Sequence, residues 1–455
     1  MKLSAKIAIG TVAVLAAMPV LAVVARRELE GRAEANLDRE LASARKDGIP
    51  VTDDELNALL KVPDQDNAAP IYAKVDDLLK RDARAKADLD LLHDASRTFP
   101  LGGSPFSADA SDPFGSASKR QKPDPAGALL RLRPVLDLAR EAAKYPHWSI
   151  PWKRSVGGYS IGEKTVIDLA IALASEAEAL TTHGDWVRSL ADLKAIQRLA
   201  THLGDVSTFE ALDQQRIAER AWQRGLAKLI RAHGRDSKFV RAALAMQDRF
   251  GPLPNLHHAL CCELIGWRRV VPELKSKQDW AYFECDDDEC YDKDNTPTLY
   301  DKLTVGSRMT QLNVDASLVA EFRRMIASVP ADPDKWPEAE RGMAAVKASL
   351  DAHPTFANRL ARQAFKYLSD PTNDVRSIQN YRRLTTVALR LCAERNANGA
   401  FPEHLPNYGD LTQDPFGAGP LHYHRKGPGF VLFSVGSNGK EDGTHPTSSN
   451  VIEVD

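Results

Sequence analysis

The residues with the clearest chemical potential are carboxylates crowded into one short stretch. Glu284-Cys285-Asp286-Asp287-Asp288-Glu289-Cys290, followed by Asp292 and Asp294, gathers many like charges in one loop. Such charges repel one another, and a divalent cation relieves the repulsion, so Asp286, Asp288 and Asp292 are candidate calcium ligands. The spacing is not that of an EF-hand: no glycine stands at the sharp turn and no terminal glutamate completes the loop. Cys285 and Cys290 are placed to close this stretch as a disulfide in an oxidising compartment. A solvated loop is the plainer alternative. The other cysteines are Cys261, Cys262 and Cys392, and an odd total of 5 leaves at least one thiol free.

Two histidine pairings could also do chemistry. His258 and Cys262 stand four apart on one helix face, which is metal-ligand spacing. Their apolar neighbours favour core packing. His422 and His424 share one face of a strand, where exposed pairing competes with ligation. Several familiar catalytic signatures are absent: no H-E-x-x-H, P-loop or G-x-G-x-x-G occurs, and Gly436-Ser437-Asn438-Gly439 is one residue short of a nucleophile elbow. The expectation is therefore a binding or scaffold protein without catalytic activity. The competing reading is an envelope hydrolase that works through its carboxylates.

The elements that must position these residues are mainly helices. Thr52 and Glu55 fit a capping box. Pro70 opens a helix with Ile71, Val75, Leu78 and Leu79 on its apolar face. Residues 99–127 are rich in Gly, Ser, Pro and Asp and read as a flexible linker. Helices are expected from Val166 to Leu180, from Asp185 to Gly204 and from Thr208 to Gly234. Others fit Lys238–Phe250, Leu256–Val270, Ser317–Val329, Pro337–Leu350, Thr355–Leu368 and Arg376–Ala397. Short turns between neighbours imply antiparallel helical hairpins. Two strands, Leu421–Arg425 and Gly429–Val435, follow the last helix and suggest a small antiparallel sheet.

At the front, Lys2 and Lys6 precede 19 uncharged residues, Ile7–Ala25, which Arg26 and Arg27 close. That length is close to the roughly 20 residues that span a bilayer as a helix. Lysines ahead of a first apolar segment favour an N-terminus inside the cell. The expectation is a single-pass bacterial inner-membrane anchor with the body in the periplasm. Val23-Val24-Ala25 leaves a cleaved signal peptide as the alternative. Partners would be the inner membrane and envelope proteins or peptides. Lys+Arg 60 against Asp+Glu 62 gives a net charge of -2, which argues against nucleic acid as a ligand.

The expected fold class is thus mainly α. An anchor or signal at 1–25 leads to an N-terminal helical region at 26–98 and a linker at 99–127. A helical-hairpin body at 128–375 precedes a helix plus small β-sheet at 376–455.

The end of the chain resembles the globular end of the type II secretion major pseudopilin. The resemblance rests on Phe401-Pro402-Glu403-His404-Leu405, Asp414-Pro415-Phe416-Gly417, Leu421-His422-Tyr423 and Phe430 through Lys440. It implies a long helix packed on a small sheet, followed by a calcium-binding loop. The matching loop positions here are Asn438 and Asp442, with plain turn chemistry as the alternative. The resemblance stops at this region: the front of the chain carries no prepilin cleavage motif. Asn67-Ala68-Ala69-Pro70-Ile71-Tyr72, taken with this tail, is also similar to a group of large exported bacterial proteins, which implies architecture only.

Overall fold

A computed structural model describes the chain except for residues 1, 99–123, 151–160, 248–249, 275–306, 331, 333–334, 354, 356, 368–370, 418, 437–450 and 455. The described residues are mainly helical, with one small antiparallel sheet. They group into two compact units, neither of which is continuous in sequence. One comprises Met1–Leu59, His257–Pro330 and Pro337–Ser369; the other comprises Leu60–Leu256, Ala331–Trp336 and Asp370–Asp455. Residues 128–375 contribute to both.

In the first unit, α1 (Lys2–Lys46) is one unbroken helix of 45 residues. Ala33, Leu37 and Ala44 bury its C-terminal half. Ion pairs fasten the same half to the helix at Arg308–Ser328: Arg308 to Glu34 at 3.0 Å, and Arg323 to Glu40 at 2.8 Å and Asp47 at 2.7 Å. Met18, Val20, Leu21, Val23 and Val24, nearer the front, are exposed. Among the described residues no helix is long and apolar enough to cross a membrane. The side chains of residues 1–17, most of the expected anchor, lie outside the described set.

The capping box forms at α2 (Asp53–Leu59), shifted by one residue on its return leg. Glu55 N donates to Thr52 Oγ1 at 3.3 Å, while the Glu55 carboxylate accepts from Val51 N at 2.7 Å.

The second unit holds α3 (Ala69–Arg81), α4 (Ala83–Thr98), α5 (Pro125–Ala142), α6 (Ile161–Thr182), α7 (Trp186–Val206), α8 (Phe209–His233) and α9 (Ser237–Gln247). Helices α6, α7 and α8 pack as successive hairpins around Leu193, Leu199, Trp222 and Leu226. In the first unit, α10 (Leu256–Val270, Leu256 itself falling in the second) is followed by α11 (Arg308–Ser328), α12 (Trp336–Ala352, entered from the second unit) and α13 (Arg359–Tyr367). The last helix, α14 (Pro371–Asn398), belongs to the second unit and lies on α8 and α9.

Among the boundaries that differ from the sequence expectation, three have a local physical reason. Helix α5 starts inside the expected linker, because Asp124 caps it by accepting from Gly127 N at 2.9 Å. Helix α7 runs past Gly204 and stops at Ser207, which takes the left-handed φ of 56°. Gly204 is a packing glycine: a Cβ there would stand 2.5 Å from Gln215 Oε1. Helix α11 begins at Arg308 rather than Ser317, since Ser307 Oγ accepts from Thr310 N at 3.2 Å.

The sheet has the order β1 (His422–Lys426), β2 (Gly429–Phe433), β3 (Val451–Val454). β3 is a third strand beyond the two expected. Gly427, at φ 57°, turns the two-residue loop between β1 and β2. Phe430, Leu432, Ile452 and Val454 form the inner face, and Phe401 packs edge-on against Phe430 at 4.9 Å.

Candidate functional site

A concave surface near chemically useful side chains borders β1. It is a cleft of about 690 Å³, lined by His404, Leu405, Phe416, His422, Tyr423 and His424, with Asp414 and Val435 at its base. Asp414 fixes its floor. One carboxylate oxygen accepts from Ser434 Oγ at 2.7 Å and Phe416 N at 2.8 Å; the other accepts from Val435 N at 2.9 Å. The main chain closes the same loop, Asp414 N donating to Gly419 O at 2.9 Å. Asp414 is buried, and three donors converge on it, so its role is to hold the loop against the end of β2.

The strand residues alternate across this surface. His422 stacks on Phe433 with ring centroids 4.8 Å apart, and His424 leans on the same ring at 5.8 Å. Tyr423 points to the other face, where its hydroxyl donates to Pro402 O at 2.7 Å. Burial pushes the Tyr423 hydroxyl above the usual tyrosine range. His422 and His424 therefore share one face, as the period of a strand requires.

The other candidate residues are placed less productively. Asn438, Asp442, Asp286, Asp288 and Asp292, together with Cys285 and Cys290, all lie outside the described residues. Among the described residues no group of three or more His, Cys, Asp or Glu side chains is arranged to hold a metal. Cys262 is fully buried. His257 Nε2 meets the carbonyl of Val329, and burial pushes the His258 ring below the usual histidine range. Cys261 and Cys392 are buried free thiols, and burial pushes both up to about 12, far from the reactive thiolate range.

Sequence reasoning missed two buried polar networks in the second unit. In the first, Tyr72 OH lies 2.8 Å from His202 Nδ1, and His202 Nε2 lies 3.0 Å from the Tyr145 carbonyl. A carbonyl only accepts, so Nε2 carries the proton and Nδ1 accepts from Tyr72. Burial holds His202 neutral, its ionisation pushed down to about 3. The ring is fully sealed from solvent and joins α3 to α7.

In the second network Arg140 on α5 reaches Asp192 on α7 at 2.8 Å, Glu176 on α6 at 2.6 Å and Asp137 at 2.8 Å. One guanidinium thus serves three carboxylates. Burial raises Asp192 to about 6; the Arg140 contact opposes the rise, and the negative charge of Glu176 adds to it. An unfolded aspartate ionises near 3.9. Between about 4 and about 6 the folded chain holds a proton that the unfolded chain has lost. Stability from this group therefore falls as pH rises through that window and is flat above it. Asp192→Asn is expected to remove this slope, read as the difference between wild-type and variant urea midpoints at pH 4.5 and pH 7. Parallel midpoints at both pH values would refute it. Neither Asp192 nor His202 lines the cleft beside β1.

No family model, curated protein or solved structure matches this chain.

Proposed function

We propose that the chain is a membrane-tethered binding or scaffold protein of the bacterial cell envelope, without catalytic activity. The observation that carries this reading is the single helix α1. Its front bears the uncharged run Ile7–Ala25, its placed apolar side chains from Met18 to Val24 face outward, and its rear is locked into a helical unit. A large exposed apolar patch on a rigid element calls for a nonpolar environment. A helix that leaves a bilayer and continues into a folded body supplies one. The basic residues Lys2 and Lys6 ahead of the run favour an N-terminus inside and a body in the periplasm.

The test is fractionation and protease digestion of spheroplasts that express the full chain or a version lacking residues 2–25. The full chain is expected in the membrane pellet, with its body digested in intact spheroplasts. The shortened chain is expected to stay in the cytoplasm, soluble and protected. A full-length chain recovered in the soluble cytosol with its front intact would overturn the reading.

A second reading, an accessory component of a type II secretion or pilus-like system, draws on the helix α14 and the antiparallel sheet that follows it. It also draws on the resemblance of residues 401–440. Co-purification of secretion-system proteins with the detergent-solubilised full chain tests it, and their absence from the eluate would dismiss it. Calcium at Asn438 and Asp442 or at Asp286, Asp288 and Asp292 belongs to the same test series. Bound calcium raises the thermal midpoint by mass action. No shift at millimolar calcium would remove both sites.

A further inference from the structure

Helix α8 carries a stripe of cations at four-residue spacing: Arg216, Arg220, Arg224 and Lys228. Each step of four residues turns the stripe by about 40° around the helix, so it winds slowly. Its two ends are neutralised. Arg216 pairs with Asp213, and its Nε meets Asp374 on α14 at 2.7 Å. Lys228 pairs with Glu178 on α6. The centre of the stripe is different. Arg220 and Arg224 are both half-buried, yet among the described residues no carboxylate pairs with either. Arg220 Nε is sealed from solvent and, among the described residues, meets no acceptor. Other half-buried arginines of this chain hold an anion: Arg140 has Asp192, Arg268 has Asp315 and Arg382 has Glu219.

A guanidinium does not shed its proton near neutral pH, so it carries its charge wherever it is buried. Burial pushes Arg220 below the usual guanidinium range; Tyr381 on α14 opposes the drop, and the charges of Arg224 and Arg216 deepen it. Arg216 moves the other way. Burial would lower it, but its bond to Asp213 and the charges of Asp213 and Asp374 lift it above the usual range. Like charges four apart on a helix repel each other, and a desolvated cation without an anion destabilises the fold. An anion seated on Arg220 and Arg224 relieves both costs.

We propose that Arg220 and Arg224 form a binding site for a phosphate group. A doubly charged tetrahedral oxyanion matches two guanidiniums one helical turn apart, and each planar fork can donate to two of its oxygens. A lone carboxylate neutralises only one of the two cations. The winding of the stripe sets the approach. Arg216 reaches α14 and Lys228 reaches α6, so the two unpaired arginines between them point into the angle between those helices. Both keep part of their surface exposed, which leaves room for a small ion to reach them. Free phosphate and the headgroup of a phosphate-bearing lipid present the same chemistry to this site. The inference goes beyond the scaffold reading. Its test is made in detergent solution, so failure of the membrane tether does not affect the result.

The probe is inorganic phosphate, titrated into the full chain in neutral detergent at constant ionic strength and followed by calorimetry. A Kd below about 1 mM is expected, with acetate binding at least about tenfold more weakly. Arg220→Gln and Arg224→Gln are each expected to weaken phosphate at least about tenfold, because each removes charge-assisted hydrogen bonds. Arg235→Gln, at an exposed arginine just past the same helix, is expected to leave it unchanged. A second readout separates this role from a structural one. In phosphate-free buffer Arg220→Met is expected to raise the urea midpoint, since it removes a cation that folding desolvates. Phosphate is expected to raise the midpoint of the wild-type chain and not that of the variant. A Kd above about 1 mM, or acetate as effective as phosphate, overturns the proposal. So do glutamine variants at 220 and 224 that bind like wild type. A lower midpoint for Arg220→Met without phosphate would mark the side chain as a structural strut and also overturn it. Mixed micelles containing phosphatidic acid identify the source: phosphate displaced by the lipid assigns the site to a headgroup, phosphate retained assigns it to the free ion, and the site stands in both cases. Should a variant fail to fold, phosphate against acetate on the unaltered chain decides the question.

Discussion

Arg382→Met is expected to lower the stability of the second unit by about 3–5 kcal/mol, because it leaves a buried anion without its cation. Glu219 on α8 is fully buried. Arg382 on α14 donates to its Oε1 from Nη2 at 2.5 Å and from Nε at 3.2 Å, and Nη1 donates to the Gly251 carbonyl at 2.8 Å. The guanidinium also sits over the Phe250 ring at 4.5 Å, and that ring meets Trp222 edge-on at 5.0 Å. One side chain therefore ties α14, α8 and the loop after α9 together. Yet among the described residues Glu219 Oε2 has no hydrogen-bond partner, so the pair is incompletely solvated by protein. The double variant Glu219→Leu with Arg382→Met should accordingly recover much of the loss, since removing both charges abolishes the desolvation penalty. Urea unfolding followed by tryptophan fluorescence of the three proteins measures this. A single variant as stable as wild type, or a double variant no better than the single, would contradict the account.

Asp414→Ala is the second large effect expected, about 3 kcal/mol or more, confined to the sheet and its cleft. The substitution strips acceptors from Phe416 N, Val435 N and the Ser434 hydroxyl together. Each bond to a charged acceptor is worth about 1.5–3 kcal/mol, and the donors left behind are partly buried. The loop 412–421 should then lose its hold on the end of β2. Hydrogen exchange at Val435 and Phe416 reports this directly, and the helical hairpins around Trp222 should keep their protection. Unchanged exchange at those two amides would contradict the role assigned to Asp414. Asp414→Asn, which keeps an acceptor oxygen, should lose less.

Much of the helical scaffold was legible because its signals are local. Pro70 opens α3 with Ile71 and Val75 inward, Asp185 caps α7, and Thr208 caps α8 with its hydroxyl accepting from Ala211 N at 2.9 Å. The hairpin between β1 and β2 was also readable from its alternation and its Gly427-Pro428 turn. Helix α5 was not. Its composition is interrupted by Pro134, which removes one internal hydrogen bond. Pro134 lies on an exposed face, where water can satisfy the freed carbonyl while Leu132 and Val135 stay buried. Strand β3 had the right alternation in Val451-Ile452-Glu453-Val454, but four residues are too few to outweigh other readings.

The site was less legible than the scaffold. Asp414 reads locally as a turn residue before Pro415. Its task depends on Ser434 and Val435, twenty or so positions away. The Tyr72–His202 and Arg140–Asp192 contacts likewise join residues far apart in sequence. No periodicity announces such pairs, because they are set by how helices meet rather than by how each one forms.

The continuity of α1 has a geometric consequence once its front is placed in a bilayer. From Arg26, where charge begins, to Ala33, the first side chain sealed in protein, there are only seven steps of helix. At about 1.5 Å per residue this is roughly 10 Å. The stretch is helical throughout, Gly31 included, so the helix acts as a short ruler rather than a leash. The first unit would ride at a fixed height just above the lipid headgroups, and its search for other molecules would be confined to the plane of the membrane.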